Sequence, residues 1–278
     1  MRVICLVDNA VQRSSLFWGE HGLSFLIEVG EKRILFDTGL SGVVLLHNLE
    51  VLGIEPETIY AIVLSHAHND HAGGLSKLME TVRPGIPLYA HTDIFRERYS
   101  KKGEKVLNKA FSITRQSIEA QFDLCLHDEP VEVIPEVWIT GGIKERLEPE
   151  GRSPDHLMRE GDNLVPDAYR DDMALILRLD DRLMVLCGCC HAGLLNTLAH
   201  VERTFNSSIA FIAGGLHLTT STDKHLQHVA EVLSSQSSLQ GVYPCHCTGE
   251  AAYVTLTHVL GSSIVKACPA GTELDLEI

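Results

Sequence analysis

The chain has 278 residues and 45% apolar content, enough for a sizeable core in one large α/β domain or two small ones. Its 23 Lys and Arg against 37 Asp and Glu give a formal charge of -14, which counts against a nucleic-acid partner because backbone phosphate needs a net or local basic field. The opening apolar run, Met1 to Val7, is too short for a signal peptide, and no run reaches membrane-spanning length, so a cytoplasmic protein with no membrane partner is expected.

Val3 to Val7 and Leu23 to Val29 read as strands, and Gly30-Glu31-Lys32 turns into a third, Arg33 to Phe36, which delivers Asp37-Thr38-Gly39 at its end. Ser41 to Leu52 carries a helical stripe that Gly53 stops. Ala61 to Leu64 reads as a buried strand, and Leu75, Leu78, Met79 and Val82 recur at helical spacing until Pro84-Gly85. Pro87 to Ala90 is a further short strand. From about Ile94 to Arg170 the pattern loosens into charged pieces and short strands, among them Val131 to Ile134 and Val137 to Thr140. The basic run Arg96 to Lys102, mixed with Glu97, reads as the solvated face of a helix. Long irregular excursions tend to carry function, so 94–170 is expected to select substrate.

Ala174 to Leu179 and Leu183 to Leu186 read as a hairpin turned by Asp180-Asp181, followed by a helix from Leu194 to Phe205. Ile209 to Ala213 and Val242-Tyr243 are strands, each followed by a helix, Asp223 to Ser234 and Glu250 to Leu260, and Ile264 to Ala267 is expected as a last strand. No repeat, low-complexity stretch or linker marks a boundary. One domain over 1–278 is the economical expectation.

Four metal-ligand types fall within six residues in His66-Ala67-His68-Asn69-Asp70-His71, directly after an apolar strand. Side chains alternate along a strand, so His66, His68 and Asp70 leave on one side, with His71 following as the chain turns. Imidazoles with a carboxylate suit Zn2+, or Mn2+ or Fe2+. The eight cysteines, at 5, 125, 187, 189, 190, 245, 247 and 268, lie mostly in apolar segments without the spacing of a secreted disulfide framework and read as reduced thiols. A structural zinc on Cys187, Cys189, Cys245 and Cys247 would lack the usual C-x2-C spacing.

The stretch His66 to His71 followed by Gly73-Gly74 resembles the signature of the metallo-β-lactamase-fold superfamily. That resemblance implies a four-layer αβ/βα sandwich, two mixed β-sheets face to face with helices outside, and a site for one or two divalent metals at the sheet edge. It implies that Asp37 braces the histidine loop from behind the ligands, as imidazole ligands require. Three strands each end in a histidine: His66, His191 and His246. The implied ligand sets are His66, His68 and His191 for one ion and Asp70, His71 and His246 for the other, with zinc first and manganese or iron as alternatives. Cys189 stands where better-known members carry a bridging Asp, and either replaces it or is a buried thiol. Asp171-Asp172-Met173 stands where a further histidine is common, which counts against β-lactam hydrolysis. Glu20-His21-Gly22, Gly188-Cys189-Cys190-His191, Gly214-Gly215-Leu216-His217 and Pro244-Cys245-His246-Cys247-Thr248-Gly249 resemble the dihydropterin ribofuranosyl-aminobenzene phosphate synthase-like branch.

Three activities follow as expectations. A hydrolase would use a metal-activated water on a small ester, lactone or phosphoester, with Asp70 orienting the water and His217 donating to the substrate. A transferase of the synthase type would use the same ligands on a pterin-like or phosphorylated substrate. A metal or redox sensor would be non-catalytic. Oligomeric state is not legible.

Overall fold

The computed structural model describes residues 1–109 and 113–277. The first half contains β1 (Arg2–Val7), β2 (Ser24–Val29), β3 (Lys32–Phe36), α1 (Val43–Val51), β4 (Ile59–Val63), α2 (Asn69–Ala72), α3 (Leu75–Leu78) and β5 (Ile86–Ala90). The middle contains β6 (Arg98–Lys102), β7 (Lys105–Asn108), α4 (Arg115–Gln121), β8 (Phe122–Leu126), β9 (Val131–Ile134), β10 (Val137–Ile139), β11 (His156–Glu160) and β12 (Asn163–Pro166). The last part contains β13 (Ala174–Leu179), β14 (Arg182–Cys187), α5 (Leu194–Phe205), β15 (Ser208–Gly215), α6 (Asp223–Ser235), β16 (Gly241–Cys245) and α7 (Glu250–Leu260).

Two six-stranded mixed sheets result, in the orders β1-β2-β3-β4-β5-β8 and β16-β15-β14-β13-β10-β9. Strand alternation explains why they stack. Ile34 and Phe36 of β3 enter the core between the sheets, whereas Leu35 enters the core under α1 and its neighbours. In the second sheet Met184 and Leu186 face the first sheet, while Leu183 and Val185 pack with α5 and α6. Apolar residues on both faces of a strand require a layer on each side, and the outcome is the expected helix-sheet-sheet-helix stack.

A smaller four-stranded sheet, β12-β11-β6-β7, is built from the middle excursion. This overturns the reading of Arg96 to Lys102 as a solvated helix face. Residues 98–102 form β6, and Arg98 is buried between Asp167 and Asp171. Partners 69 and 73 residues away cannot be read from a local charge pattern.

Two further expectations are corrected. The helix expected over Leu75 to Val82 ends at Leu78, although in the turns that follow Val82 N still donates to Leu78 O at 2.9 Å. The last strand is absent: Val242 donates to Ile264 O and Lys266 donates to Val242 O, and the pairing stops at one isolated bridge. The next donor on β16 would be Pro244, which has no N–H.

Strands β1, β3 and β4 run in one direction, as do β14, β15 and β16. Their carboxyl ends meet at one edge of the sandwich. Among the described residues no helix is long and apolar enough to cross a membrane.

Candidate metal centre

The loops after β4, β14, β15 and β16 bring His66, His68, Asp70, His71, His191, His217 and His246 to that edge. His71 Nε2 lies 3.2 Å from His246 Nε2 and 3.1 Å from Cys189 Sγ, and Asp70 Oδ2 lies 3.3 Å from His246 Nε2. On the other side His68 Nδ1 is 3.3 Å from His191 Nε2. Ligand atoms of His66, Cys189 and His191 lie within 4.8 Å of one another, as do those of His71, Cys189 and His246. Cys189 therefore sits between the two sets.

Four of the rings, those of His66, His71, His191 and His246, are held by their outer nitrogens. His71 Nδ1 is 2.7 Å from Asp37 Oδ2, His191 Nδ1 is 2.9 Å from Gly151 O, and His246 Nδ1 is 3.1 Å from Asn9 Oδ1. Ser65 Oγ donates to Asp37 Oδ2 at 2.7 Å, which leaves it an acceptor for His66 Nδ1 at 2.9 Å. When the outer nitrogen carries the hydrogen, the inner lone pair is free for a cation. His66 Nε2 is buried and has no protein partner, which a resident cation would explain. Converging nitrogens, a carboxylate and a soft sulfur fit divalent ions of the zinc type.

The electrostatics favour a cation at every proposed imidazole ligand but His71. Burial pushes His66 and His191 well below the usual histidine range, with neighbouring imidazoles adding to it, so both are neutral at neutral pH. Burial alone would also lower His71, but the carboxylates of Asp37 and Asp70 outweigh it and raise it to about 9. The opposite holds for Asp70, which burial would raise but which His71, His246 and His68 keep ionised.

Acidic residues from distant segments position the loops. Buried Asp171 accepts from Ala67 N at 2.9 Å and pairs with Arg98, which also donates to Asp167 at 2.7 Å. Asp172 accepts from Ala192 N at 2.7 Å, and burial pushes its carboxyl up to about 7. Asp8 accepts from His246 N at 2.7 Å. The backbone is left-handed at Asp37 (φ 61), Cys190 (φ 54), His217 (φ 46) and His246 (φ 52), a strained conformation for non-glycine residues that these networks hold in place. Gly188 gives the two sheets their close approach here: a Cβ would sit 2.5 Å from Ser65 Cβ.

A cleft of about 360 Å³ lies over the cluster, and His217, Asp70, Cys247, Tyr99 and Lys109 are among its lining residues. Several contributors were not assigned to the site from sequence. His21, with a side chain 66% exposed, reaches 3.4 Å from Asp70 Oδ2 at the rim. Tyr169 stacks on His191 at 4.0 Å between ring centroids and meets His156 Nδ1 through its hydroxyl at 2.6 Å. A tyrosine in an irregular segment gives no local signal of that role. The four-cysteine zinc arrangement is ruled out by direction: Cys189 meets Cys247 at 3.4 Å, but Cys245 turns away towards Cys5 and Cys268.

A family model described as the metallo-beta-lactamase superfamily matches residues 18–158, just over half of the chain. This chain belongs to the metallo-β-lactamase superfamily. Within the superfamily it is 31% identical over 254 residues to the uncharacterized protein MJ0448 of Methanocaldococcus jannaschii, covering 91% of this chain and 93% of that one. It is 28% identical over 261 residues to the 7,8-dihydropterin-6-methyl-4-(beta-D-ribofuranosyl)-aminobenzene-5'-phosphate synthase of the same organism, covering 90% and 88%. Among solved superfamily structures, Tm1679, described as a metal-dependent hydrolase, superimposes with a TM-score of 0.84 at 28% identity over 100% of both chains. The superfamily match ends before His191 and His246, so these two join the cluster on geometry alone.

Proposed function

We propose that the chain is a metal-dependent hydrolase acting on a small ester, lactone or phosphoester. His66, His68 and His191 would hold one divalent ion and Asp70, His71 and His246 a second, with Cys189 available as a thiolate ligand beside both sets. The observation that carries this reading is the inward convergence of nitrogens whose outer partners are fixed oxygens, around Cys189 and Asp70. Ions bound there, zinc foremost, would supply Lewis acidity and a water of lowered pKa.

The protein's own groups do the rest. Asp70 is ionised and lines the cleft, so it orients the attacking water by accepting its hydrogen bond. Burial lowers His217 to about 4. At neutral pH it is a neutral imidazole, which gives a substrate oxygen a hydrogen bond rather than a proton. The middle excursion supplies Tyr99, Lys109 and His156 to the cleft and selects the substrate. Arg98 is paired with two aspartates but keeps a buried Nη1 without a partner, and it lines the cleft with Lys109, so both are candidate cations for an anionic substituent.

A second reading, a transferase on a pterin-like or phosphorylated substrate, is favoured by the full-length similarity to the pterin-linked synthase. The test is metal-loaded protein incubated with ester, lactone and phosphodiester substrates, and separately with a pterin diphosphate plus an arylamine riboside. Turnover without amine supports the hydrolase. Diphosphate release that depends on amine supports the transferase, and no turnover in either arm refutes both.

A further inference from the structure

Cys5, Cys245 and Cys268 bring their sulfurs within 4.8 Å of one another although they come from β1, the end of β16 and the C-terminal segment. Cys5 is 0% exposed and Cys268 1%. We propose that these three thiols form an all-sulfur cation site, separate from the histidine centre, for a soft thiophilic ion of the zinc and cadmium class.

The geometry supports coordination. With metal–sulfur bonds of about 2.3 Å, three sulfurs on one tetrahedral ion lie about 3.8 Å apart, inside the 4.8 Å within which the three sulfurs already lie. A cleft of about 430 Å³ borders Cys245, Cys268 and Asp8 and gives an ion a route to the sulfurs. Both Asp8 oxygens are already engaged, with His246 N and Ala10 N, and the carboxylate is not needed as a ligand. On binding, each thiol gives its proton to solvent, and three thiolates meet one divalent charge. Packing as small apolar side chains would not require three thiols from three segments to converge.

The location gives the site a purpose. The C-terminal segment makes no ladder and is tied to β1 by scattered bonds such as Cys5 N to Thr272 O at 2.9 Å and Gly271 N to Cys5 O at 2.8 Å. An ion on the three sulfurs clamps that segment to β1 and to β16, one residue before His246.

The test uses Cd2+ as the probe on full-length protein carrying Cys189→Ser and Cys247→Ser, which removes the thiols of the histidine centre. We expect a thiolate-to-cadmium charge-transfer band in the ultraviolet. Adding Cys268→Ala should remove most of that band and one equivalent of bound cadmium. NMR of the cadmium form of the unsubstituted chain keeps the test independent of variant folding, with one resonance expected in the three-sulfur range. Absence of that resonance overturns the site, as does a band unchanged by Cys268→Ala. A disulfide between any two of the three cysteines in protein purified under reducing conditions also overturns it.

Discussion

Replacing Asp37 by Asn isolates the carboxylate that orders the histidine loop. Asp37 is fully buried and accepts from Ser65 N, Ser65 Oγ and His71 Nδ1, each at 2.7 Å. Asn has nearly the same shape, and its oxygen still accepts from Ser65 N. Its amide, however, presents a donor to His71 Nδ1, so the imidazole hydrogen moves to Nε2, the proposed ligand atom. Loss of such a supporting group costs about 10–100-fold in metal affinity, or about 1.4–2.8 kcal/mol at 1.4 kcal/mol per decade. A second effect opposes it. In the metal-free wild type His71 is raised to about 9, so below that pH a cation must displace its proton, at tenfold in affinity per pH unit. The Asn variant lacks the charge that holds this proton. Zinc affinity measured by chelator competition across pH should therefore show the full deficit at and above pH 9, narrowing as pH falls. Protons lost from Cys189 or the other ligands are common to both proteins and cancel. Equal affinities above pH 9, or a deficit that widens on acidification, would refute the reasoning. Metal-free stability should follow the same linkage. A histidine raised above its unfolded value contributes stability that is complete below about pH 6.5 and is lost as pH rises through 9, so the unfolding gap between the two proteins should close in alkali.

Other consequences are open to simpler measurements. His66→Ala and His246→Ala should each lower bound metal by about one equivalent in metal analysis, and a variant with full stoichiometry would remove its residue from the ligand set. Arg98→Met leaves Asp167 and Asp171 buried beside each other, and urea unfolding should show a loss of about 3–5 kcal/mol; a loss under 1 kcal/mol would contradict the pairing. Gly188→Ala drives a Cβ to 2.5 Å from Ser65 Cβ, so overpacking should cost about 1–3 kcal/mol or more, seen as a lower Tm; an unchanged Tm would mean the two sheets have slack at this point. Tyr169→Phe keeps the stacking on His191 but loses the 2.6 Å bond to His156, so metal content should hold while stability falls by about 1 kcal/mol.

The sequence by itself determined the elements that rely on local periodicity. Helices α5 and α7 fall on the residues whose apolar spacing called for them, and β3 with β4 follows from runs apolar on both faces. The crowding of His66, His68, Asp70 and His71 was equally legible, because those residues are neighbours in the chain. Tertiary structure alone decided the rest. Arg98 looked like a solvated cation until folding brought two aspartates to it from about 70 positions on. The expected last strand failed because Pro244, on the neighbouring strand, has no hydrogen to give. The outer partners of the imidazoles, Asn9, Asp37 and Gly151, come from loops with no common pattern. Cys5, Cys245 and Cys268 read one at a time as buried thiols, and only three-dimensional proximity makes them a set. Periodicity reports which face of an element is covered, whereas ligation and pairing depend on distances between elements that the one-dimensional pattern does not encode.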